Sequence, residues 1–138
     1  MKSKIECHWL ENMAFEAEVN DHLIVMDADE LNGGQNKGPR PKLLTLASLA
    51  GCTGMDVISI LYKMKVVPDE FHISVEGDLT EEHPRYYEKI IVTYYFKGKD
   101  LPADKLKKAV ELSQEKYCGV SALLRKGAEL GYEIVTEE

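Results

Sequence analysis

Two of the three cysteines stand in local sequences where a thiol could do chemistry. Cys52 lies between Gly51 and Gly54, and Cys118 follows 66 residues further on, directly before Gly119. A cysteine thiolate is a nucleophile, a metal ligand and the starting point of reversible oxidation to a sulfenic acid. Thiol chemistry is therefore the first class of function that the sequence indicates.

The glycines around Cys52 leave two interpretations open. A glycine inside a helix costs about 1 kcal/mol relative to alanine, so Gly51 and Gly54 indicate that another group approaches the backbone there. In one interpretation Cys52 is a thiol at the base of a narrow pocket. In the other, the glycines allow close helix packing and Cys52 is a small buried apolar residue, as free cysteines commonly are.

The charges near Cys52 are mixed. Asp56 lies one helical turn later on the same face, and a neighbouring carboxylate raises the pKa of a thiol. A reactive thiol needs a cation or a hydrogen-bond donor that stabilises the thiolate. The candidate cations, which the sequence does not rank, are Lys37, Arg40, Lys42 and Arg85.

The other two cysteines receive different predictions. If Cys118 begins a second helix, the positive end of that helix dipole favours its thiolate, and Lys116 adds to the effect; otherwise Cys118 is a helix-linker residue with no role. Cys7 alternates with Ile5 and Trp9 along a strand, so we expect it in the core. Because the cysteine count is odd and no pair has CxxC spacing, a disulfide framework and a zinc knuckle are both disfavoured.

The hydrophobic periodicity predicts an α+β fold with the element order βββ-α-ββ-αα-β in one domain over residues 1–138. The predicted elements are three strands within 3–28, a helix over 43–65 that Pro68 ends, strands over 70–79 and 86–97, helices over 103–116 and 119–126, and a closing strand over 132–136. The 43–65 helix is apolar around most of its circumference, so it needs packing from several sides. A single chain of this length would struggle to cover it, so we expect a partner subunit and hence a homodimer.

Composition and charge disfavour several classes of function. The 24 acidic residues outnumber the 17 Lys and Arg, and the net charge of −7 argues against nucleic acid and anionic membranes as partners. The N-terminus lacks the apolar stretch of a signal peptide, and the polar residues within 43–64 argue against a membrane span. We therefore expect a cytoplasmic protein. The four histidines have no metal-ligand spacing and no nucleotide-binding motif is present, so neither a metal nor a cofactor is expected.

Three segments together resemble a known family. The loop Gly38–Pro41 leads into a helix reading Leu-x-x-Leu-Ala-x-Leu-Ala-Gly-Cys-Thr over 43–53, two strands follow, and the segment Tyr117–Ser121 comes later. This pattern is similar to the OsmC/Ohr family, the osmotically inducible and organic-hydroperoxide-resistance proteins, and within it to the small YhfA-like branch. The resemblance implies an intertwined homodimer whose central helices lie between sheets of both subunits, with two active sites at the interface.

The resemblance also implies a mechanism. Cys52 would be the peroxidatic thiolate that attacks a small organic hydroperoxide, and Cys118 the resolving thiol that closes an intramolecular disulfide. An external dithiol reductant, which is typically a lipoylated protein in active members, would restore both thiols. The protein would then be a stress-response thiol peroxidase, an oxidoreductase that needs no cofactor.

The chain departs from the family's active pattern at one place. Peroxidase members carry a Glu upstream of the first cysteine, paired with an Arg from an N-terminal loop, whereas this stretch reads Lys42-Leu43 and no Arg precedes Arg40. Arg40 is therefore the expected catalytic cation, with Lys42 as the alternative. The departure leaves a second function open: a non-catalytic or weakly active stress-associated protein of the same fold that binds a small apolar ligand at the dimer interface.

Overall fold

The computed structural model describes all of residues 1–138 and contains six strands and three α-helices. They are β1 (Glu6–Glu11), β2 (Ala14–Val19), β3 (His22–Met26), α1 (Pro41–Lys63), β4 (Glu70–Leu79), β5 (Tyr87–Lys97), α2 (Ala103–Leu112), α3 (Gly119–Arg125) and β6 (Glu129–Glu137). The predicted element order and the α+β class are therefore confirmed. Backbone contacts group the chain into two compact units, residues 1–45 and 46–138, and the single domain over 1–138 stays a prediction.

Residues 1–45 contain the antiparallel sheet β1-β2-β3. Its tight turns place Asn12, Asn20 and Asp21 at positive φ, a conformation that Asn and Asp tolerate better than most residues. Cys7 lies on β1, and every residue of β1 is exposed, so the prediction that Cys7 belongs to the core is wrong. Alternation along a strand tells which residues share a face, but burial needs a second layer, and residues 1–45 supply none over β1.

The loop between β3 and α1 is organised by a buried carboxylate. Asp27 accepts hydrogen bonds from the backbone N–H groups of Lys37 (3.1 Å), Gln35 (3.2 Å) and Ala28 (2.7 Å). These bonds, that of Lys37 foremost, hold the pKa of Asp27 below its ordinary value. Gly34 packs so closely that a Cβ there would lie 2.1 Å from the Ala28 carbonyl oxygen, so only glycine fits this position.

The long helix α1 begins at Pro41, whose missing N–H is harmless in a first turn. The prediction that Pro68 ends this helix is wrong, because the chain leaves the helix before it reaches that proline. Lys65 adopts a φ of 60°, and the Val66 N–H donates to the Leu61 carbonyl oxygen (2.9 Å). This is the hydrogen bond of a Schellman motif, which closes a helix through one residue in the left-handed conformation.

Residues 46–138 contain the second sheet, β4-β5-β6, in which β5 is central. β5 pairs antiparallel with β4 and parallel with β6, and a parallel pair requires a crossover, which α2 and α3 provide. One face of β5 packs with α1 and α2 in a single hydrophobic core. The largest core residues of these elements are Leu49, Val57, Leu61, Ile90, Val92, Tyr94, Phe96, Leu106 and Val110.

Within this unit α1 is only partly covered. Leu49, Thr53 and Val57 are buried, whereas the Met55 side chain is 74% exposed. By length and composition alone α1 is long and apolar enough to cross a membrane, a test that core helices of soluble proteins also pass. The polar residues of its sequence therefore do not by themselves exclude a span. Its buried stripe, however, belongs to the core with β5, which is the packing of a globular domain.

Candidate functional site

The structure brings Cys52 and Cys118 together with Asp56. The two Sγ atoms and a carboxylate oxygen all lie within 4.8 Å of one another. Cys118 is 3% exposed, Cys52 and Asp56 are half-buried, and no cysteine is in a disulfide. The sequence alone places Cys52 and Asp56 on one helical face, and the fold adds a second thiol from 66 residues further along the chain.

The position of Cys118 depends on an irregularity between two helices. The predicted helix over 103–116 is α-helical in its first ten residues and continues as the π-helical segment Ser113–Tyr117, so its predicted end lies one residue from the observed one. The Cys118 N–H donates to the Ser113 carbonyl oxygen (2.8 Å), a bond across five residues that widens the turn. Cys118 then caps α3, and its Sγ accepts a hydrogen bond from the Ser121 N–H (3.3 Å). The prediction that Cys118 stands at the start of a second helix is confirmed.

The surroundings of Cys52 favour its neutral thiol. Burial raises the pKa of Cys52, a backbone hydrogen bond from Val120 lowers it, and Cys118 and Asp56 raise it further. No cation is among the main causes of the shift. A fast reaction therefore needs a positive charge near Cys52 that offsets its burial and its acidic neighbours.

Asp56 is held by a chain of buried hydroxyl groups. Ser113 Oγ donates to Asp56 Oδ2 (3.0 Å) and lies 2.7 Å from Thr53 Oγ1. Thr53 Oγ1 lies 2.6 Å from Tyr94 Oη, to which Gln114 Nε2 also donates (2.6 Å). Because each hydroxyl has one proton to donate, the donors must all run in one direction, from the Gln114 amide to the Asp56 carboxylate.

Sequence reasoning did not identify Thr53, Tyr94 or Ser113 as part of the site. The sequence feature that could have identified them is a hydroxyl-bearing residue on a stripe that is otherwise apolar. Thr53 and Tyr94 occupy such buried positions in α1 and β5. A buried hydroxyl without a partner is costly, so each of these residues implies another. The sequence does not tell which residues are the partners, because they lie on different elements.

Arg40 lies in the loop before α1 and is bonded within that loop. Its Nη1 donates to Asn36 Oδ1 (2.8 Å) and to the Gly38 carbonyl oxygen (2.9 Å). Lys37, another candidate cation, forms an ion pair with Glu11 at 3.1 Å. The role of Arg40 as the cation that activates Cys52 stays a prediction.

The glycines near Cys52 do not surround the thiol. Successive residues of an α-helix are about 100° apart, so Gly54 faces away from Cys52. A Cβ on Gly54 would lie 3.0 Å from Ile73 Cδ1, whereas a Cβ on Gly51 would meet open space. Both glycines line an apolar groove of about 550 Å³ that also includes Met55. Close packing therefore explains Gly54, and the groove lies away from the thiol.

A second cleft opens on the thiol side of α1. Its volume is about 330 Å³, and it is lined by Asp56, Ser59, Ile60, Lys63, Leu112 and Tyr117. Asp56 belongs both to this cleft and to the cluster, whereas neither cysteine lines the cleft.

Comparison with known proteins gives a consistent result. Residues 34–133 match the profile of a family described as OsmC-like protein. The chain is 34% identical to the protein YhfA of Escherichia coli over 130 residues, which cover 92% of this chain and 94% of YhfA. The crystal structure of a hypothetical protein from Aquifex aeolicus matches with a TM-score of 0.84 and 31% identity, and the match covers all of both chains.

A more distant structure has the same fold. The organic hydroperoxide resistance protein OsmC from Legionella pneumophila matches with a TM-score of 0.71 over 98% of this chain and 97% of that chain. Only 14% of the residues are identical, so this likeness shows the fold alone.

Proposed function

Because this chain belongs to the OsmC-like protein family, as its sequence predicts, we propose that it is a thiol peroxidase that reduces organic hydroperoxides. The observation that carries the proposal is the convergence of Cys52 and Cys118, whose sulfur atoms lie within 4.8 Å of each other. Both cysteines are free and their sulfur atoms are near neighbours, as the formation of a disulfide between them requires. A pair of free thiols that can close a disulfide is what a two-cysteine peroxidase requires.

The proposed reaction has three steps. The Cys52 thiolate attacks one oxygen of the hydroperoxide, the O–O bond breaks, and the other oxygen leaves as an alcohol while Cys52 becomes a sulfenic acid. The Cys118 thiol then attacks this sulfur, which releases water and forms the Cys52–Cys118 disulfide. An external dithiol, such as a lipoylated protein, is oxidised to its own disulfide as it returns both cysteines to thiols.

The exposure of the two cysteines supports these roles. Cys52 is half-buried and can meet a substrate, whereas Cys118 is buried and can react only with a neighbour. The Val120 N–H, whose hydrogen bond lowers the pKa of Cys52, stabilises the attacking thiolate.

One equivalent of cumene hydroperoxide should convert the reduced protein to a form with one free thiol per chain. The two lost thiols are Cys52 and Cys118, which form the disulfide, and Cys7 stays reduced because it lies on β1, outside the cluster. Thiol titration counts the loss, and mass spectrometry of the unreduced tryptic digest identifies the joined peptides. Loss of a single thiol, or a disulfide that includes Cys7, would contradict the assignment of Cys118.

We also propose that two copies of the chain form a homodimer. Large apolar side chains are exposed on both units, including Trp9 and Leu23 on the first sheet and Met55 and Tyr62 on α1. Exposed apolar surface of this extent marks an interaction site. Light scattering on the gel-filtration peak should give twice the 15.6 kDa of one chain. A peak with the mass of one chain at micromolar concentration would disprove the dimer.

A second candidate function is a protein of the same fold that binds a small apolar ligand without fast thiol chemistry. The pKa of Cys52, which burial raises and which Cys118 and Asp56 raise further, favours this candidate. The apolar groove beside Gly51 and Met55 has a volume of about 550 Å³, which suits a small ligand. The peroxide assay separates the two candidates, because a binding protein consumes no more peroxide than its Cys52→Ser variant.

A further inference from the structure

The cluster of Cys52, Asp56 and Cys118 contains three groups that can carry negative charge, and no positive group balances them. The ion pairs of the chain are Lys4–Glu6, Lys37–Glu11 and Lys107–Glu111. Lys63 lines the same cleft as Asp56 but forms no ion pair with it. The Asp56 carboxylate is bound instead by the neutral Ser113 hydroxyl at 3.0 Å. The cluster therefore lacks a cation.

The three donor atoms match the ligands and the spacing of a zinc site. Zinc binds cysteine sulfur at about 2.3 Å and carboxylate oxygen at about 2.0–2.2 Å in a tetrahedral arrangement, which puts neighbouring donors about 3.3–3.8 Å apart. The Sγ atoms of Cys52 and Cys118 and the Asp56 oxygen already lie within 4.8 Å of one another. The remaining difference is within the reach of side-chain rotation.

The surroundings of the cluster also suit a metal ion. The Ser113 hydroxyl orients the Asp56 carboxylate from behind and is itself held by Thr53 Oγ1, at 2.7 Å. Outer hydrogen bonds of this kind orient the ligands of metal sites and tune their affinity. Cys52 and Asp56 are half-buried, and Asp56 lines the cleft of about 330 Å³, so the cluster borders solvent on the side of these two residues.

We propose that the reduced protein binds one zinc ion per chain through Cys52, Cys118 and Asp56, with the fourth position open to solvent. Binding exchanges the two thiol protons for the ion, which supplies the positive charge that the cluster lacks. The zinc site and the Cys52–Cys118 disulfide exclude each other, because a disulfide sulfur is no longer a thiolate. Bound zinc therefore keeps both thiols reduced and blocks their reaction with peroxide.

This inference differs from the sequence-based expectation that no metal binds. That expectation used histidine spacing and CxxC motifs, which detect ligands that are close in sequence. Here Cys52 and Asp56 come from α1 and Cys118 from the start of α3, so the set exists only in the folded chain. The inference does not rest on the proposed peroxidase function, because it concerns the reduced thiols without any peroxide.

Cobalt(II) is the probe for the test, because tetrahedral cobalt bound to thiolates absorbs visible and near-ultraviolet light. The full-length protein is reduced with a phosphine, freed of metal and titrated with cobalt chloride. We expect thiolate-to-cobalt absorption that saturates at one cobalt per chain and disappears when one equivalent of zinc chloride displaces the cobalt. Reduced wild-type protein that gives no such absorption would overturn the proposal.

Single substitutions then test the three ligands. Cys52→Ser and Cys118→Ser should abolish the thiolate absorption of the one-to-one complex, and Asp56→Asn should weaken zinc affinity at least about tenfold while the thiolate bands remain. Cys7→Ser is the matched control and should bind as the wild type does. Circular dichroism confirms that each variant is folded. Unchanged affinity in Asp56→Asn, or loss of binding in Cys7→Ser, would overturn the assigned ligand set.

Peroxide consumption is measured separately, with a chelator present. Metal-free protein that reduces peroxide but binds no cobalt would disprove the zinc site and leave the proposed function intact. Protein that binds zinc through the assigned ligands but, once freed of metal, reduces no peroxide would disprove the proposed function and leave the zinc site intact.

Discussion

The Cys52→Ser variant should consume cumene hydroperoxide no faster than a buffer that contains dithiothreitol alone. A serine hydroxyl is not ionised at neutral pH and cannot form a sulfenic acid, so the first step has no nucleophile. The rate is measured as peroxide loss over time with the protein in catalytic amounts and a chelator present. Wild-type turnover in this variant would assign peroxide reduction to another group and would contradict the proposed function.

Two further variants separate the roles of the cysteines. Cys118→Ser should consume a single equivalent of peroxide when no external dithiol is present and then stop at the Cys52 sulfenic acid, which dimedone traps. Cys7→Ser should keep wild-type turnover, because Cys7 lies on the exposed strand β1. If dimedone instead labels Cys118 in the Cys52→Ser variant with retained peroxide loss, the two roles are reversed.

The pH dependence of the wild-type rate reports the charge around Cys52. Burial raises the pKa of Cys52, so its thiolate fraction, and with it the rate, should increase about tenfold per pH unit below that pKa. We therefore expect a rate that still rises above neutral pH. A wild-type rate that is constant from neutral pH upward would instead mean that a cation lowers the pKa of Cys52. If the rate of Arg40→Ala then rises with pH where the wild-type rate is constant, Arg40 is that cation.

Tyr94→Phe should lower the free energy of unfolding by about 1–3 kcal/mol. The substitution removes the oxygen that lies 2.6 Å from both Thr53 Oγ1 and Gln114 Nε2. The Gln114 amide N–H then has no acceptor, and Thr53 Oγ1 no longer accepts a hydrogen bond from the Tyr94 hydroxyl. For a chain of this size each kcal/mol corresponds to roughly 4 °C in Tm, which a thermal melt detects easily.

Tyr95→Phe is the matched control for this prediction, because it makes the same change one residue further along β5. The Tyr95 ring stacks on His72 with a centroid distance of 4.4 Å, and the phenylalanine ring keeps that contact. We expect a change within about 0.5 kcal/mol, as for most surface substitutions. Equal losses in both variants would show that the buried hydroxyl chain contributes no stability of its own.

Local periodicity was enough to predict the elements of this fold. The β-branched and aromatic residues over 90–96 predict a strand, and β5 includes all of them, with one face in the core. The ends of the elements were less predictable. The left-handed Lys65 ends α1 before Pro68 does, because a helix cap depends on backbone geometry that an apolar pattern does not encode.

Burial was predictable only where a second layer exists. Cys7 alternates with Ile5 and Trp9 as a core residue would, yet all of β1 is exposed in the single chain. On β5 the alternate residues Ile90, Val92, Tyr94 and Phe96 are buried, because α1 and α2 cover that face. Periodicity identifies the face, and the packing of other elements decides whether the face is covered.

The sequence by itself determined the family and the element order and indicated the two cysteines that we propose to react, because these are encoded in residue types and in spacings within single elements. The family resemblance implied that Cys118 meets Cys52, but only the tertiary structure decided that Asp56 joins both thiols and that Thr53, Tyr94 and Ser113 hold its carboxylate. The physical reason is that these contacts join α1, β5 and the π-helical segment. Their distances depend on how the elements pack, which no spacing along the chain records.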